Sequence, residues 1–545
     1  MTSRVRAWGR TLSRSSHSEG HGSTALPWAG PLAASALIAV ALPTAEAQDL
    51  ELRSKRARWR TVVEWLDPDG TDDLGVGGLH YDLLDPFQAV PGMYVGMGGF
   101  SALVGDRGGF LVAGGTVGWR ASLDPAWTLD LGQFIGGGGE GPLQGDGGLY
   151  LRPHIALERR FGPTSLRLEV SHVHMPDGDI DSTQFALGFQ GLDELITADY
   201  SFEDLGMLPA NAFAAGRMPL GATVQFVDPS SRSRRTGGAA LRSRMALASV
   251  AVERGLGQHW YVPMELSGAF GGDVSGYAQF LAGIGYREPL FENSVDWRTQ
   301  VSVGAGGGGG VDTGGGLLAS ARTGFEAHVG RDWRMHLMGG YLTAVDGHFD
   351  GLTVSVGASW SPVPVELRSG FDRSRLAEEG VWADDLRLDP WTVQAIQKNY
   401  SLRTSSTLRN GDALLDRTMS LMGIGTEKNI ARDLDLSLRA FTAYEGEVGG
   451  YQEGQLGLRY TIPIEQPIDV GDFYVQYHAG AAGGGGLDVG SGFIHDLSAG
   501  WRWRPTGSVR IGLEAGHVES EQGNFTADSF ALTLSWNVTR PLRPL

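Results

Sequence analysis

Residues 530–538 read FALTLSWNV, and this stretch decides the fold class. Phe530, Leu532, Leu534, Trp536 and Val538 fall on one side of the chain; Ala531, Thr533, Ser535 and Asn537 fall on the other. Side chains alternate across a β-strand with a period of two, so this is a strand between an apolar environment and a polar one. Leu352, Val354, Val356, Ala358 and Trp360 alternate with Thr353, Ser355, Gly357 and Ser359 in the same way. Shorter examples are Phe185, Leu187 and Phe189; Leu434, Leu436 and Leu438; and Val509, Ile511 and Leu513. Runs of about 10 residues with large apolar groups opposite small or polar ones match a membrane barrel, lipid outside and polar lumen inside. A soluble sandwich alternates similarly. Aromatic residues at strand ends, strands of about 9–11 residues and an export signal select the membrane.

The composition agrees. Glycine supplies 83 of 545 residues, roughly twice its usual share. Each would cost about 1 kcal/mol relative to alanine inside a helix. No period of three accompanies the glycines, and large apolar residues are too frequent for a disordered chain. A net charge of −18 argues against nucleic acid as a partner. The absence of cysteine removes disulfides, thiol catalysis and cysteine metal sites. Residues 1–47 read as a signal peptide of a Gram-negative cell. Arg4, Arg6, Arg10 and Arg14 precede the apolar run Leu32 to Leu42, and Ala45-Glu46-Ala47 fits a cleavage site before Gln48. Beyond residue 47 no stretch approaches the roughly 18 consecutive apolar residues of a membrane helix, so strands must do the crossing. The final strand lies almost at the C-terminus, with Thr539 to Leu545 running past it.

The chain also resembles itself. Glycine runs stand at Gly136 to Gly139, Gly306 to Gly310 and Gly483 to Gly486, each followed by a second glycine cluster and a hairpin. The hairpins begin at His172, Tyr341 and His517, spaced by 169 and 176 residues. Upstream, Trp260 to Tyr286 parallels Leu434 to Tyr460, with Tyr94 to Trp119 as the first counterpart. Fixed spacing of this kind predicts three internal repeats of about 170 residues. The glycines themselves permit bends, or the close packing of a neighbouring segment against the wall. None of the runs ends in the Gly-Lys-Ser/Thr of a phosphate loop.

Seven strands are legible in each repeat. Ala222 to Val227 and Val363 to Phe371 offer an eighth, and an even number is expected. The expected domains are repeats at 48–191, 242–373 and 417–545, separated by linkers at 192–241 and 374–416. The second linker carries a helix signal, Asp389 as cap and Pro390 at the first position, running from Trp391 to Lys398. Linkers this long favour three eight-stranded barrels in tandem over one barrel of about 24 strands.

The hairpin His172-Val-His-Met-Pro-Asp-Gly-Asp-Ile-Asp resembles the active-site region of the outer-membrane lipid A 3-O-deacylases. That resemblance implies an eight-stranded barrel with a triad of His, Ser and an acid, from a His-x-Ser motif on a lipid-facing strand. His172 matches the histidine and Asp181 stands where the acid falls, but His174 occupies the serine position. Ser171 belongs to the opposite face. The second repeat has Tyr341 and Thr343, and the third has His517 and Glu519. No repeat therefore keeps the full triad: the first and third lack the hydroxyl at its place, and the second lacks the histidine that would activate one. His172 and His174 share a face without a third ligand, so neither a metal nor a cofactor site is expected. Asp177, Asp179, Asp181, Asp346 and Asp350 read as turn formers, with cations bridging lipopolysaccharide phosphates as the alternative.

Three functional classes follow. A non-catalytic structural or surface-interaction protein of the outer membrane leads, because filled barrels suit eight strands. A channel for solute or export comes second, and a deacylase-like hydrolase third. The expected partners are outer-membrane lipid, lipopolysaccharide and, during insertion, the barrel-assembly machinery.

Overall fold

A computed structural model describes residues 52–68, 73–86, 90–139, 148–162, 164–198, 213–215, 219–256, 259–291, 294–329, 333–360, 365–367, 387–463, 471–505 and 509–542. The signal-peptide reading of residues 1–47 lies outside them.

The chain closes into an antiparallel barrel three times. The first barrel comprises β1 (Leu52–Leu66), β2 (Leu74–Leu84), β3 (Met93–Val104), β4 (Leu111–Ser122), β5 (Trp127–Gly139), β6 (Leu149–Phe161), β7 (Thr164–His174) and β8 (Asp181–Ala198). After the short β9 (Phe213–Ala215) the second is built of β10 (Leu220–Pro229), β11 (Met245–Gly255), β12 (Trp260–Gly271), β13 (Ala278–Leu290), β14 (Val295–Gly307), β15 (Leu317–Val329), β16 (Trp333–Ala344) and β17 (Asp350–Trp360). The short β18 (Val365–Leu367) then pairs with β9. The third barrel follows as β19 (Arg387–Leu402), β20 (Thr418–Ala431), β21 (Leu434–Glu445), β22 (Gln452–Thr461), β23 (Asp472–Gly483), β24 (Phe493–Trp503), β25 (Val509–Ser520) and β26 (Thr526–Leu542). Neighbours in sequence pair throughout, and β1 with β8, β10 with β17 and β19 with β26 close the rings.

Several expectations need correction. Trp391 to Lys398 is not a helix but the middle of β19, because Ile396, Lys398 and Tyr400 alternate inward against Ala395, Gln397 and Asn399 outward. The Asp389-Pro390 cap signal loses to a period of two. Likewise β10 and β19 lie within the stretches expected to be linkers, and each opens its barrel. Ala222 to Val227 is indeed an eighth strand, but Val365–Leu367 pairs outside the barrels. The last strand absorbs part of the tail and runs to Leu542.

The walls follow the alternation. Along β17, Leu352, Val354 and Val356 face outward and Thr353 and Ser355 are buried. No helix among the described residues is long and apolar enough to cross a membrane; these strands supply the apolar outer surface.

Each lumen is filled in two zones. At the end bearing the β1–β2, β3–β4, β5–β6 and β7–β8 connections (the loop end), an apolar cluster plugs the first barrel, including Val62, Phe100, Val112, Phe134, Tyr150 and Val173. Clusters around Leu247, Tyr277 and Leu318, and around Leu421, Tyr451 and Ile494, do the same in the others. Ion pairs start among these residues, with Glu64 between Val62 and Leu66 and Lys398 between Ile396 and Tyr400, and take over towards the end where the strands begin and finish. Arg58 donates to Asp82 at 2.8 Å, to Asp130 at 2.8 Å and to Glu158 at 3.0 Å. Arg152 grips Glu64 through two bonds of 2.8 and 2.7 Å. In the second barrel Arg322 meets Glu265 at 2.6 Å and Arg298 meets Glu326 and Glu253. In the third, Arg439 holds Glu514 through two bonds of 2.8 Å and Lys398 holds Asp496 at 2.6 Å. An eight-stranded interior is just wide enough for side chains to fill, and buried charges persist only when paired.

The three barrels pack in a cycle. β3 lies against β14 and β15, β12 against β23 and β24, and β21 against β5 and β6. The third strand of each barrel thus meets the fifth and sixth of the next, a heterologous contact that closes on itself as a ring. The glycine runs are the means. Gly108 donates its amide to Gly314 O at 2.9 Å, and Gln452 Nε2 reaches Leu111 O at 2.9 Å. A β-carbon on Gly276 would lie 2.5 Å from Gly484 N, and one on Gly137 would lie 2.4 Å from Ala443 O. Backbone meets backbone at the seams, which is the close packing expected of the runs.

A bulge recurs at one place in each barrel. The register shifts between Gly75 and Val76, between Ala246 and Leu247, and between Ser420 and Leu421, leaving Leu103, Phe270 and Tyr444 as the extra residues. Phe270 turns towards the next barrel, its ring 6.3 Å from that of Phe493.

Candidate functional site

The hairpins singled out in sequence form the loop-end rim. β7 carries His172 and His174 on its outer face, and β8 brings Asp181 beside them. His172 Nδ1 is 2.8 Å from Thr183 Oγ1, while His174 Nδ1 is 2.9 Å from Asp181 Oδ2. Asp181 Oδ1 lies 3.6 Å from His172 Nε2, too long for a hydrogen bond. Ser171 points inward, as its parity requires, and donates to Glu64 at 2.7 Å. In the second barrel the Tyr341 hydroxyl donates to Asp350, which also accepts from Ser230 at 2.6 Å. In the third, His517 Nδ1 is 2.9 Å from Asp528 Oδ1, and Thr526 Oγ1 is 3.2 Å from Nε2. Arg403 takes the same Asp528 oxygen at 2.9 Å. Each rim carries an outward His or Tyr bonded to an Asp of the next strand, but from different hairpin positions: His174 with Asp181, Tyr341 with Asp350 and His517 with Asp528. Thr526 and Arg403 were not singled out in sequence, because they come from a different strand and from a loop.

The turn acids do not converge on a cation. Asp179 pairs with Arg107, whose hydrogen bonds hold the carboxyl below its ordinary range. Asp346 accepts from the Gly315 amide at 3.2 Å. Among the described residues one three-residue cluster has ligand atoms within 4.8 Å of each other: Asp296, Glu326 and His328. Both Glu326 oxygens already accept from guanidinium groups, Arg298 at 2.5 Å and Arg334 at 3.0 Å. Arg287 lies 3.8 Å from Asp296. A cation there would face three positive charges, so the donor set does not suit a metal.

The lumen network was missed in sequence, although its signal is present. In β1, Arg58, Arg60 and Glu64 stand at inward positions between outward Trp59, Thr61, Val63 and Trp65, and all three are fully buried. The chemistry recurs without fixed positions. Arg58 lies 4.3 Å over Tyr94, Arg298 4.8 Å over Tyr261 and Arg459 4.3 Å over Tyr474, from different strands in the three barrels.

No family model and no curated protein matches the chain. Among solved structures it is similar to OccAB3 of Acinetobacter baumannii (11% identity, 89% of this chain and 99% of that one, TM-score 0.21). OpdQ of Pseudomonas aeruginosa matches at 10% identity over 90% and 98%, with a TM-score of 0.20. OccK1 (OpdK) of the same organism matches at 10% over 89% and 98%, with a TM-score of 0.23. OpdK is an outer membrane protein. Scores this low transfer no function. The resemblance to lipid A 3-O-deacylases finds no counterpart among these matches. The fold class rests on the chain itself: closed antiparallel barrels, apolar outside and polar inside, are outer-membrane barrels.

Proposed function

We propose that the protein is a non-conducting outer-membrane protein of a Gram-negative cell, three diverged copies of one barrel unit that present a joined rim of loops at the surface. The observation that carries this reading is the filled lumen: an apolar plug above charge-paired arginines and carboxylates in all three barrels. Its role is structural or one of surface interaction, with lipid, lipopolysaccharide and the assembly machinery as partners. Barrel strands commonly have longer loops outside and short turns within, and the long connections 230–244 and 403–417 favour a reading with the seam-forming end outside.

The competing reading is a channel for solute or exported material. On its side stand buried polar atoms without a protein partner, both amide atoms of Gln225 and both ring nitrogens of His478. Liposome swelling separates the two. Proteoliposomes of the mature chain should swell in small sugars no faster than empty ones; rapid, size-dependent swelling would establish the channel.

A further inference from the structure

The three barrels serve as internal references for one another, and one patch of outer wall breaks the rule. The bulge fixes the correspondence. The residue pair beside it is Trp65–Gly75 in the first barrel, Phe226–Ala246 in the second and Asn399–Ser420 in the third. Two residues back along the first strand stand Val63, Val224 and Gln397. Trp65 and Phe226 are half exposed, as lipid-facing residues should be. At the same height the third barrel presents two amides and a hydroxyl. They form a connected group: Ser420 Oγ lies 3.0 Å from Asn399 Oδ1 and 2.8 Å from Glu445 Oε2, and Gln397 Nε2 donates to Asn399 Oδ1 at 3.3 Å. Arg403 stands above them on the rim, half exposed, and a phosphate there would compete with its exposed partner Asp528, 2.9 Å away.

Acyl chains offer such groups no hydrogen bond, and polar side chains on a lipid face are unfavourable. Amides and hydroxyls both donate and accept, which suits a hydroxyl-rich head, and a guanidinium suits a phosphate. We propose that this patch, centred on Gln397, Asn399 and Ser420 below Arg403, docks the phosphorylated sugar head of an outer-leaflet glycolipid. The inference rests on the outer-membrane reading above and adds a site to it.

The test is native mass spectrometry of the mature chain released from dodecyl maltoside micelles containing either lipopolysaccharide or phosphatidylglycerol. The triple variant Gln397→Val, Asn399→Phe, Ser420→Ala carries the second barrel's residues. It should retain lipopolysaccharide about tenfold more weakly than the wild type, the loss expected of a few hydrogen bonds, with phosphatidylglycerol unaffected. The reverse transplant Val224→Gln, Phe226→Asn, Ala246→Ser keeps the proposal testable if the first variant misfolds, and should add bound lipopolysaccharide. Equal retention by wild type and variant, or wild-type preference for phosphatidylglycerol, overturns the site. Failure of the protein to fractionate with outer membranes would instead overturn the reading beneath it.

Discussion

Gly109 of the first barrel stands so close to Gly308 of the second that a β-carbon on it would lie 2.4 Å from the Gly308 nitrogen. Gly276 repeats the relationship with Gly484 at the next seam. The abundance of glycine in this chain is thus a packing requirement between barrels as much as a property of the strands within them.

Replacing Gly109 or Gly276 by Val should open a seam. Both have positive φ, +111° and +85°, so strain adds to the clash, and a loss of about 1–3 kcal/mol is expected for each. Gly454→Ala, where a β-carbon meets nothing within 4 Å, is the control and should leave stability unchanged. Urea unfolding in vesicles reads all three. Equal effects at Gly109 and Gly454 would remove the seam from the account.

Arg152 and Glu64 are both fully buried and bonded to each other through two contacts. Arg152 also pairs with buried Glu169 at 2.5 Å, which Arg167 holds from its other oxygen. Arg152→Met strands Glu64, takes one partner from Glu169 and should cost about 3–5 kcal/mol. The double variant Arg152→Met, Glu64→Leu should recover part of that loss, with Glu169 left to Arg167. A double variant no more stable than the single one would contradict the ion pair as the reason for Glu64.

The rim histidines are predicted to be non-catalytic. His172→Ala and His517→Ala should leave the acyl pattern of lipid A unchanged in cells, as read by mass spectrometry. A lost or gained acyl chain in either strain would reinstate hydrolysis.

Acid should loosen one tie between loops. Asp179 is held below its ordinary pKa by hydrogen bonds from Arg107, so the tie is complete above the unfolded value of about 3.9 and is lost as the pH falls below it. Protease cleavage within the 175–180 turn should be flat from pH 7 to 5 and rise below about 4. Asp179→Asn should remove that rise by cleaving readily at every pH.

The fold class was legible because lipid and lumen impose opposite demands on alternate residues, as at Leu352 and Thr353. The glycine runs and hairpins marked equivalent places because the same seam recurs three times. Asp389 and Pro390 misled: their local preference for a helix start yields to the pairing of β19 with β20 and β26. The lumen pairs were hidden for another reason. Arg58 meets Glu158 across 100 residues of sequence, and no local pattern reveals which inward charges will face each other. At the rim, His172 and Asp181 were found as neighbours, but the roles of Thr526 and Arg403 beside His517 depend on strand register and a loop.

The central claim is that the lumens are closed. Single-channel recording of the mature chain in a planar bilayer tests it most directly. A folded, inserted protein that passes no resolvable current is the predicted result, and large, steady openings would contradict it.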